Sequence, residues 1–396
     1  MESATPMKTP DEDHSMKRTE NNLPKPAPQL QDDLELLSLM MSDLESAPAI
    51  YKPGSYWAQR SQLILKYLKT HGLRDLRSVH SDLLTFAKLE HQQLSYNLQL
   101  NHIRLLSNKF TRIIPGWRSF LDRLSIFASN FLNRRPHQSA YRVTPYDIQL
   151  LAYHFVDKTT RDWQTTPLSS VETSLAGNPE ETFYVDGRPY TMEFLLKFWN
   201  YSFAAKSIDF KSINSVVEIG SGLCQQIEIF KKINPNLTIL AFDIPPILYL
   251  GEQYLKSIFP DDVVSYRETR SLSSLEDLAP GKIYMLPNWK FEMTQKLDYD
   301  LFWNARSLGE MDPDRVAHYL SYISASARSV YLHQQVVGDG SRPFGGENVY
   351  WSQYEDALND HFTLADRSPT MFPWRPSTLQ RTHNNFSDEA VWLKKN

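Results

Sequence analysis

Ser215-Val216-Val217-Glu218-Ile219-Gly220-Ser221-Gly222-Leu223-Cys224, followed by Leu237-Thr238-Ile239-Leu240-Ala241-Phe242-Asp243-Ile244-Pro245-Pro246, is the stretch whose reading decides the fold of this chain. An apolar run ends in a turn with two glycines, a helical stretch follows, and a second apolar run ends on an acid. This is the pattern of a βαβ unit. Gly220 and Gly222 allow a tight turn and a close backbone approach to a ligand where a Cβ would clash. The helix that follows presents free N–H groups at the same place. Asp243, closing the second strand, can hold both hydroxyls of a ribose.

A dinucleotide fingerprint needs a third glycine where this chain has Gln225. Glu218 places an anion in the loop, which suits a cationic ligand and suits a pyrophosphate poorly. Three readings stand: a sulfonium nucleoside site, a dinucleotide site, and an empty α/β turn. The Glu-x-Gly-x-Gly pattern with an acid about 20 residues on resembles motifs I and II of class I S-adenosylmethionine (SAM)-dependent methyltransferases.

At 396 residues the chain is long for one domain. Its 41% apolar and 12% aromatic content supplies a sizeable core. The net charge of −4 makes no global case for nucleic acid or a membrane surface. The one cysteine, Cys224, excludes an intrachain disulfide framework and a cysteine-ligated cluster. That usage points to a reduced, cytoplasmic setting. Met1–Pro10 carries no apolar signal core, and no run reaches membrane-spanning length. Cys224 itself reads either as a thiol activated by a helix N-terminus or as a small buried residue.

Working outward toward the N-terminus, residues 1–30 read as a disordered tail, polar and poor in large apolar residues. Residues 31–145 read as a helical region. Leu34, Leu37, Met41 and Leu44 fall at helical spacing before Pro48, and a second helix is predicted from the N-cap Ser55 to Gly72. Leu73 to Asn108 also reads as helical, and Trp117 to Leu132 as an amphipathic helix with Phe120, Leu124, Phe127 and Phe131 on one face. Arg104, Lys109, Arg112, Arg118, Arg123, Arg134, Arg135 and Arg142 make the 104–142 region basic. It is either a solvated face or a contact for an anionic substrate or a peripheral membrane surface. Residues 146–212 read as a bridging cap. Within it Phe183–Val185, Asp186-Gly187 and Arg188–Tyr190 form a hairpin with a type I′ turn. Thr191 caps a helix carrying Leu195, Trp199 and Phe203.

Residues 213–396 read as the ligand-binding α/β domain. Pro245-Pro246 is predicted to open a helix to Ile258. Strands are predicted at Lys282–Leu286, Tyr299–Asn304 and Ser329–Val337, with helices over Asp312–Ala327 and Glu347–Phe362. An antiparallel pair near Leu364 and Ala390–Leu393 closes the sheet. Asn288 and Trp289, just past the third strand, have the chemistry to flank an adenine.

Three further segments resemble one family. Asp243-Ile244-Pro245 looks like the Asp-Leu-Pro of small-molecule O-methyltransferases. Asn304-Ala305-Arg306-Ser307-Leu308-Gly309-Glu310-Met311 resembles the Asn-x-x-Ser-x-x-Glu-Met segment of sugar O-methyltransferases. Ala176-Gly177-Asn178-Pro179 resembles that family's Gly-Asn-Pro segment, and Ser55-Tyr56-Trp57 its Ser-x-x-Trp entry helix, one residue short. The departure is Leu223-Cys224-Gln225-Gln226, where a further small residue is usual. The resemblance implies a Rossmann-like α/β fold: a mostly parallel class I methyltransferase sheet with an antiparallel last strand, behind an N-terminal all-helical region. It implies SAM as cofactor, with Glu218, Gly220, Gly222, Asp243, Asn288, Trp289 and Asn304 as its site and Asn178 and Arg306 toward the acceptor, a small-molecule sugar.

A sugar hydroxyl is a poor nucleophile, so a general base is expected at the carboxyl ends of the strands. Glu310, His154 and His333 are the candidates. Asp298 and Asp300 share a strand face at the far end, so no metal is predicted. The alternatives are a polyketide or phenolic acceptor, with the aromatic helix around Trp199 lining an apolar pocket, and a non-catalytic methyltransferase-fold binding module. Nucleic-acid methylation fits poorly, since Ile244-Pro245-Pro246-Ile247 lacks the terminal aromatic of the base-methylating motif.

Overall fold

In a computed structural model of the chain, the described residues are 28–78, 145–336, 348–370 and 387–395. The basic 104–142 region, the Trp117–Leu132 helix and the run from 79 to Asn108 lie outside them, as does the tail as far as residue 27. Leu30, counted with that tail, is buried beside Gly177.

The helical pieces come first: α1 (Leu34–Ser46), a 3₁₀ turn at Ala49–Tyr51, α2 (Ser55–His71) and α3 (Pro145–Asp162). Asp33 caps α1 through the Leu36 amide. The buried face of α1 is Leu36, Leu37, Met40 and Leu44, and Leu34 stands 53% exposed. The predicted stripe was turned because the cap places Leu34 in the first turn, outside the packed face. Gly72 ends α2 at φ 67. The hairpin β1 (Phe183–Val185) and β2 (Arg188–Tyr190) forms in the predicted register, with Asp186 and Gly187 both at positive φ. Thr191 accepts from the Phe194 amide and caps α4 (Met192–Ala204). This helix is buried on nearly every side, well beyond the predicted face.

The remaining strands make one eight-stranded sheet: β3 (Ser215–Ile219), β4 (Thr238–Asp243), β5 (Val263–Val264), β6 (Ile283–Pro287), β7 (Tyr299–Ala305), β8 (Ala327–Gln335), β9 (Phe362–Pro369) and β10 (Ser387–Lys394). Their order is β5-β6-β4-β3-β7-β8-β10-β9. β5, β6, β4, β3, β7 and β8 run parallel, and β10 is inserted antiparallel between β8 and β9. The helices α5 (Gln225–Ile233), α6 (Ile247–Ile258), α7 (Tyr266–Thr269), α8 (Pro313–Ser326) and α9 (Trp351–Leu358) connect them. Val263–Val264 is the edge strand at one end of the sheet, and β9 is at the other. Pro245-Pro246 is a cis peptide, and the helix begins one residue later, at Ile247.

Two core clusters lie on opposite faces of the sheet. Strand period 2 sorts β3 between them: Val216 enters the cluster with α4 and α5, while Val217 and Ile219 enter the one with α8 and α9. Glu218 thus points to the α4 side, at the end of the strand. The strand order reverses at β3, between β4 and β7, so a crevice opens at the carboxyl ends of these strands.

Candidate functional site

That crevice holds a cavity of about 500 Å³. The turn after β3 forms its floor. Gly220 sits at φ 70, and a Cβ there would fall 2.1 Å from Ser307 Oγ. Gly222 sits at φ 58, and a Cβ there would meet nothing within 4 Å. The first glycine is required by packing against the protein, and the second faces open space that a ligand can use. Asp243, at the end of β4, ties the turn down. Its Oδ2 accepts from the Gly222 amide at 2.8 Å and its Oδ1 from the Ile244 amide at 2.7 Å.

Two acids therefore meet in one crevice. Glu218 is 4% exposed and its Oε2 has no hydrogen-bond partner. Burial pushes its carboxyl up to about 8, with Lys197 opposing and Asp243 adding to the shift. Burial likewise pushes Asp243 up to about 7, against the two backbone donors and with Glu310 adding. A bound cation would relieve both.

The predicted residues divide. Glu218, Gly220, Gly222, Asp243, Asn288, Arg306 and Glu310 line the cavity. Asn288 donates to the Tyr51 carbonyl at 2.7 Å, and its Oδ1 has no partner. Glu310 accepts from Trp57 Nε1 at 3.0 Å. Trp289 does not line the cavity; it is half-buried between the two clusters. Asn304 lies behind the wall. Its amide donates to the Ile219 carbonyl and Ser307 Oγ and accepts from Leu308 and Gln334, locking the β3 and β7 turns together. Asn178 is exposed, away from the cavity, and donates to Asp75 Oδ1 at 3.1 Å.

The two histidines also fall elsewhere. His154 is exposed on α3, stacked edge-on against Tyr153. His333 is fully buried in β8, 3.1 Å from Ser387 Oγ, and burial together with the charges of Arg306 and Lys197 holds its imidazole well below the usual range. Gln335, two residues further along the same face, is the one that reaches the cavity. Cys224, at φ 58 ahead of α5, is buried against Gly251, and burial raises its thiol well above the usual value. Asp298 and Asp300 pair with Arg328 at the opposite end of the sheet.

The sequence places a cap at 146–212, and the stretch ahead of α2 was not read as part of the site. Ile50 to Trp57 covers the cavity, and Glu193, Leu196 and Lys197 of α4 form its side. Only the likeness of Ser55-Tyr56-Trp57 to an entry helix pointed toward this segment.

No protein-family model matches the chain, and no curated protein matches it. Among solved structures it is similar to the pyocyanin biosynthetic protein PhzM, at 14% identity over 51% of this chain and 58% of that one, with a TM-score of 0.34. It is also similar to magnesium protoporphyrin IX methyltransferase (ChlM) from Synechocystis PCC 6803 with bound SAH, at 11% identity over 62% and 99%, TM-score 0.35. The O-methyltransferase segment of StiE matches at 13% identity over 50% and 73%, TM-score 0.33. The strand order, parallel from β5 to β8 with β10 inserted antiparallel before β9, is that of a Rossmann-like α/β fold.

Proposed function

We propose that the chain is a SAM-dependent O-methyltransferase that methylates a hydroxyl of a sugar, in a glycan or a nucleotide-sugar. One observation carries the cofactor reading: a buried, unpartnered Glu218 oxygen and the Asp243 carboxylate flank the open space at Gly222. A ligand with a positive centre and a vicinal diol answers both acids. Asp243 would hold the ribose hydroxyls, Glu218 the cationic end, and the unpartnered Asn288 Oδ1 an adenine amino group. When bound, SAM supplies a methyl group on a sulfonium, ready for in-line displacement.

The chain's own work is alignment and proton removal. Glu310, oriented by Trp57 Nε1, takes the proton of the acceptor hydroxyl. Arg306 and Gln335 also line the cavity and can orient an acceptor rich in hydroxyls. The roof from Ile50 to Trp57 excludes water from the reacting atoms. A polar acceptor also agrees with the position of Trp199, which is buried against Glu389 and does not line the cavity. The aromatic side chains that do line the cavity are Tyr51, Tyr56, Trp57 and Tyr319, and three of the four carry a hydroxyl. The sugar itself rests on the resemblance of the Asn304–Met311 segment.

Calorimetric titration with SAM and S-adenosylhomocysteine tests the proposal. Micromolar binding is expected for the wild type, and Asp243→Ala should lose about 2–4 kcal/mol of it. An acceptor screen over sugars and nucleotide-sugars then follows, with Glu310→Gln expected to abolish turnover while cofactor binding persists. A wild type that binds neither ligand removes the enzymatic reading. Binding without turnover on any acceptor leaves a binding module.

A further inference from the structure

Two features of the sequence remain without a function: Gln225, in the stretch that departs from the resembled family, and the Ala176-Gly177-Asn178-Pro179 segment, of which no residue lines the cavity. A buried arginine joins them. Arg77, in the turn that follows α2, is 6% exposed. Its guanidinium lies in a socket made by residues 173–177. Nη1 donates to the Ser174 carbonyl at 2.7 Å and to the Ala176 carbonyl at 3.2 Å, and Nη2 donates to Thr173 Oγ1 at 3.3 Å. The Arg77 amide donates to the Gly177 carbonyl at 2.7 Å. Gly177, at φ 76, leaves room for the arginine: a Cβ there would come within 3.2 Å of Arg77 Cγ and of Leu30 Cδ1. Nη1 also reaches Tyr254 Oη at 3.3 Å, and that hydroxyl donates to the buried Glu228 at 2.5 Å. The buried charge thus meets an acid at one remove.

The rest of the guanidinium grips Gln225. A guanidinium carries donors alone, so the amide atom turned toward it is the oxygen, which accepts from Nε at 3.2 Å and from Nη2 at 2.9 Å. Gln225 is the first residue of α5 and lines the cavity. It follows Cys224, whose φ of 58 is left-handed without a glycine's freedom. A backbone in that region persists only where its surroundings hold it. Here Cys224 is packed against Gly251, and the next residue is held by Arg77.

Resting on the cofactor reading above, we propose that Arg77 is a positioning residue for the ligand turn and acts through Gln225. The segment ending in Gly177 is the socket that aims it. Residues far ahead of the sheet thereby set the shape of the turn between Gly222 and α5, and the ligand binds to a turn that they hold.

The test is a double-mutant cycle of Arg77→Met and Gln225→Ala in the full chain, read by calorimetry with S-adenosylhomocysteine and by urea midpoints. Each single variant should bind about tenfold more weakly, and the double variant about as weakly as either one. A merely structural arginine would lower the urea midpoint and leave the affinity of the folded protein unchanged. Losses that multiply in the double variant would show that Arg77 does not act through Gln225. Either result overturns the assignment. Two milder variants decide the matter if Arg77→Met does not fold. Arg77→Lys keeps the charge and loses the fork that grips an amide, and Gly177→Ala crowds Arg77 from outside the cavity. Both should weaken binding, and unchanged affinity in both overturns the assignment while the cofactor reading stands. A wild type that does not bind S-adenosylhomocysteine overturns the cofactor reading, and this assignment with it.

Discussion

The two glycines of the β3 turn have different jobs, and alanine separates them. Gly220→Ala drives a methyl into Ser307 at a φ of 70, so it should destabilise the fold by about 3 kcal/mol, read as a lower urea midpoint. Gly222→Ala meets no protein atom. It should cost about 1 kcal/mol of left-handed strain yet abolish S-adenosylhomocysteine binding. Similar stability losses in the two variants would contradict this division. Glu218 makes a pH prediction whose sign is fixed. Its carboxyl is held at about 8 in the fold against an ordinary 4.5, so the folded chain binds the extra proton between those values. Stability of the ligand-free protein therefore falls as pH rises through that window. Glu218→Gln should raise the urea midpoint at about pH 8.5 and change it little at about pH 5.5. An unchanged gap between the two pH values would assign the dependence to Asp243 or Glu389 instead. The places of Glu218, Gly220, Gly222 and Asp243 around one turn were legible in the sequence, because a βαβ turn brings its own neighbours together. His154 and His333 were not, because residue type does not say which helix face or strand rung a side chain occupies.

The roof is the element that the sequence could not place. Its contacts are long-range: Asn288 to the Tyr51 carbonyl, Arg315 to the Lys52 carbonyl and Trp57 to Glu310. No periodicity in residues 49–57 announces them. The same holds for Asn304, whose Asn-x-x-Ser pattern reads as a ligand site while its amide serves as the clamp between two turns. If Arg315 pins the roof, Arg315→Met should speed hydrogen exchange of the amides across 49–54. It should also weaken S-adenosylhomocysteine binding about tenfold, with thermal stability nearly unchanged. Exchange confined to the α8 amides would show that the guanidinium serves only its own helix.

At the scale of the molecule, sheet and cap are joined through Glu389 on β10, which accepts from Trp199 Nε1 of α4 at 2.9 Å and from Tyr331 of β8 at 2.8 Å. Glu389→Ala strands two buried donors and should cost about 3 kcal/mol in urea denaturation, whereas Glu389→Gln should cost about 1 kcal/mol. Equal midpoints in the wild type and both variants would make this junction incidental. The closing β9–β10 pair was legible from its apolar runs, but the insertion of β10 beside β8 was not, since strand order depends on which edges remain unpaired. The N-terminal pieces are fastened to the same body: Asp33 and Asp43 of the first helix segment pair with Arg267 and Arg270 around α7. Lys52 and Arg315, which join the roof to α8, stand 263 residues apart. A ribosome makes the roof first and the sheet and α8 long afterwards, so the early helices leave the tunnel with apolar faces and nothing yet to cover. Closure of the crevice is for that reason a late event in the life of each new chain, and a nascent chain stopped short of Arg315 would carry a lid without its latch.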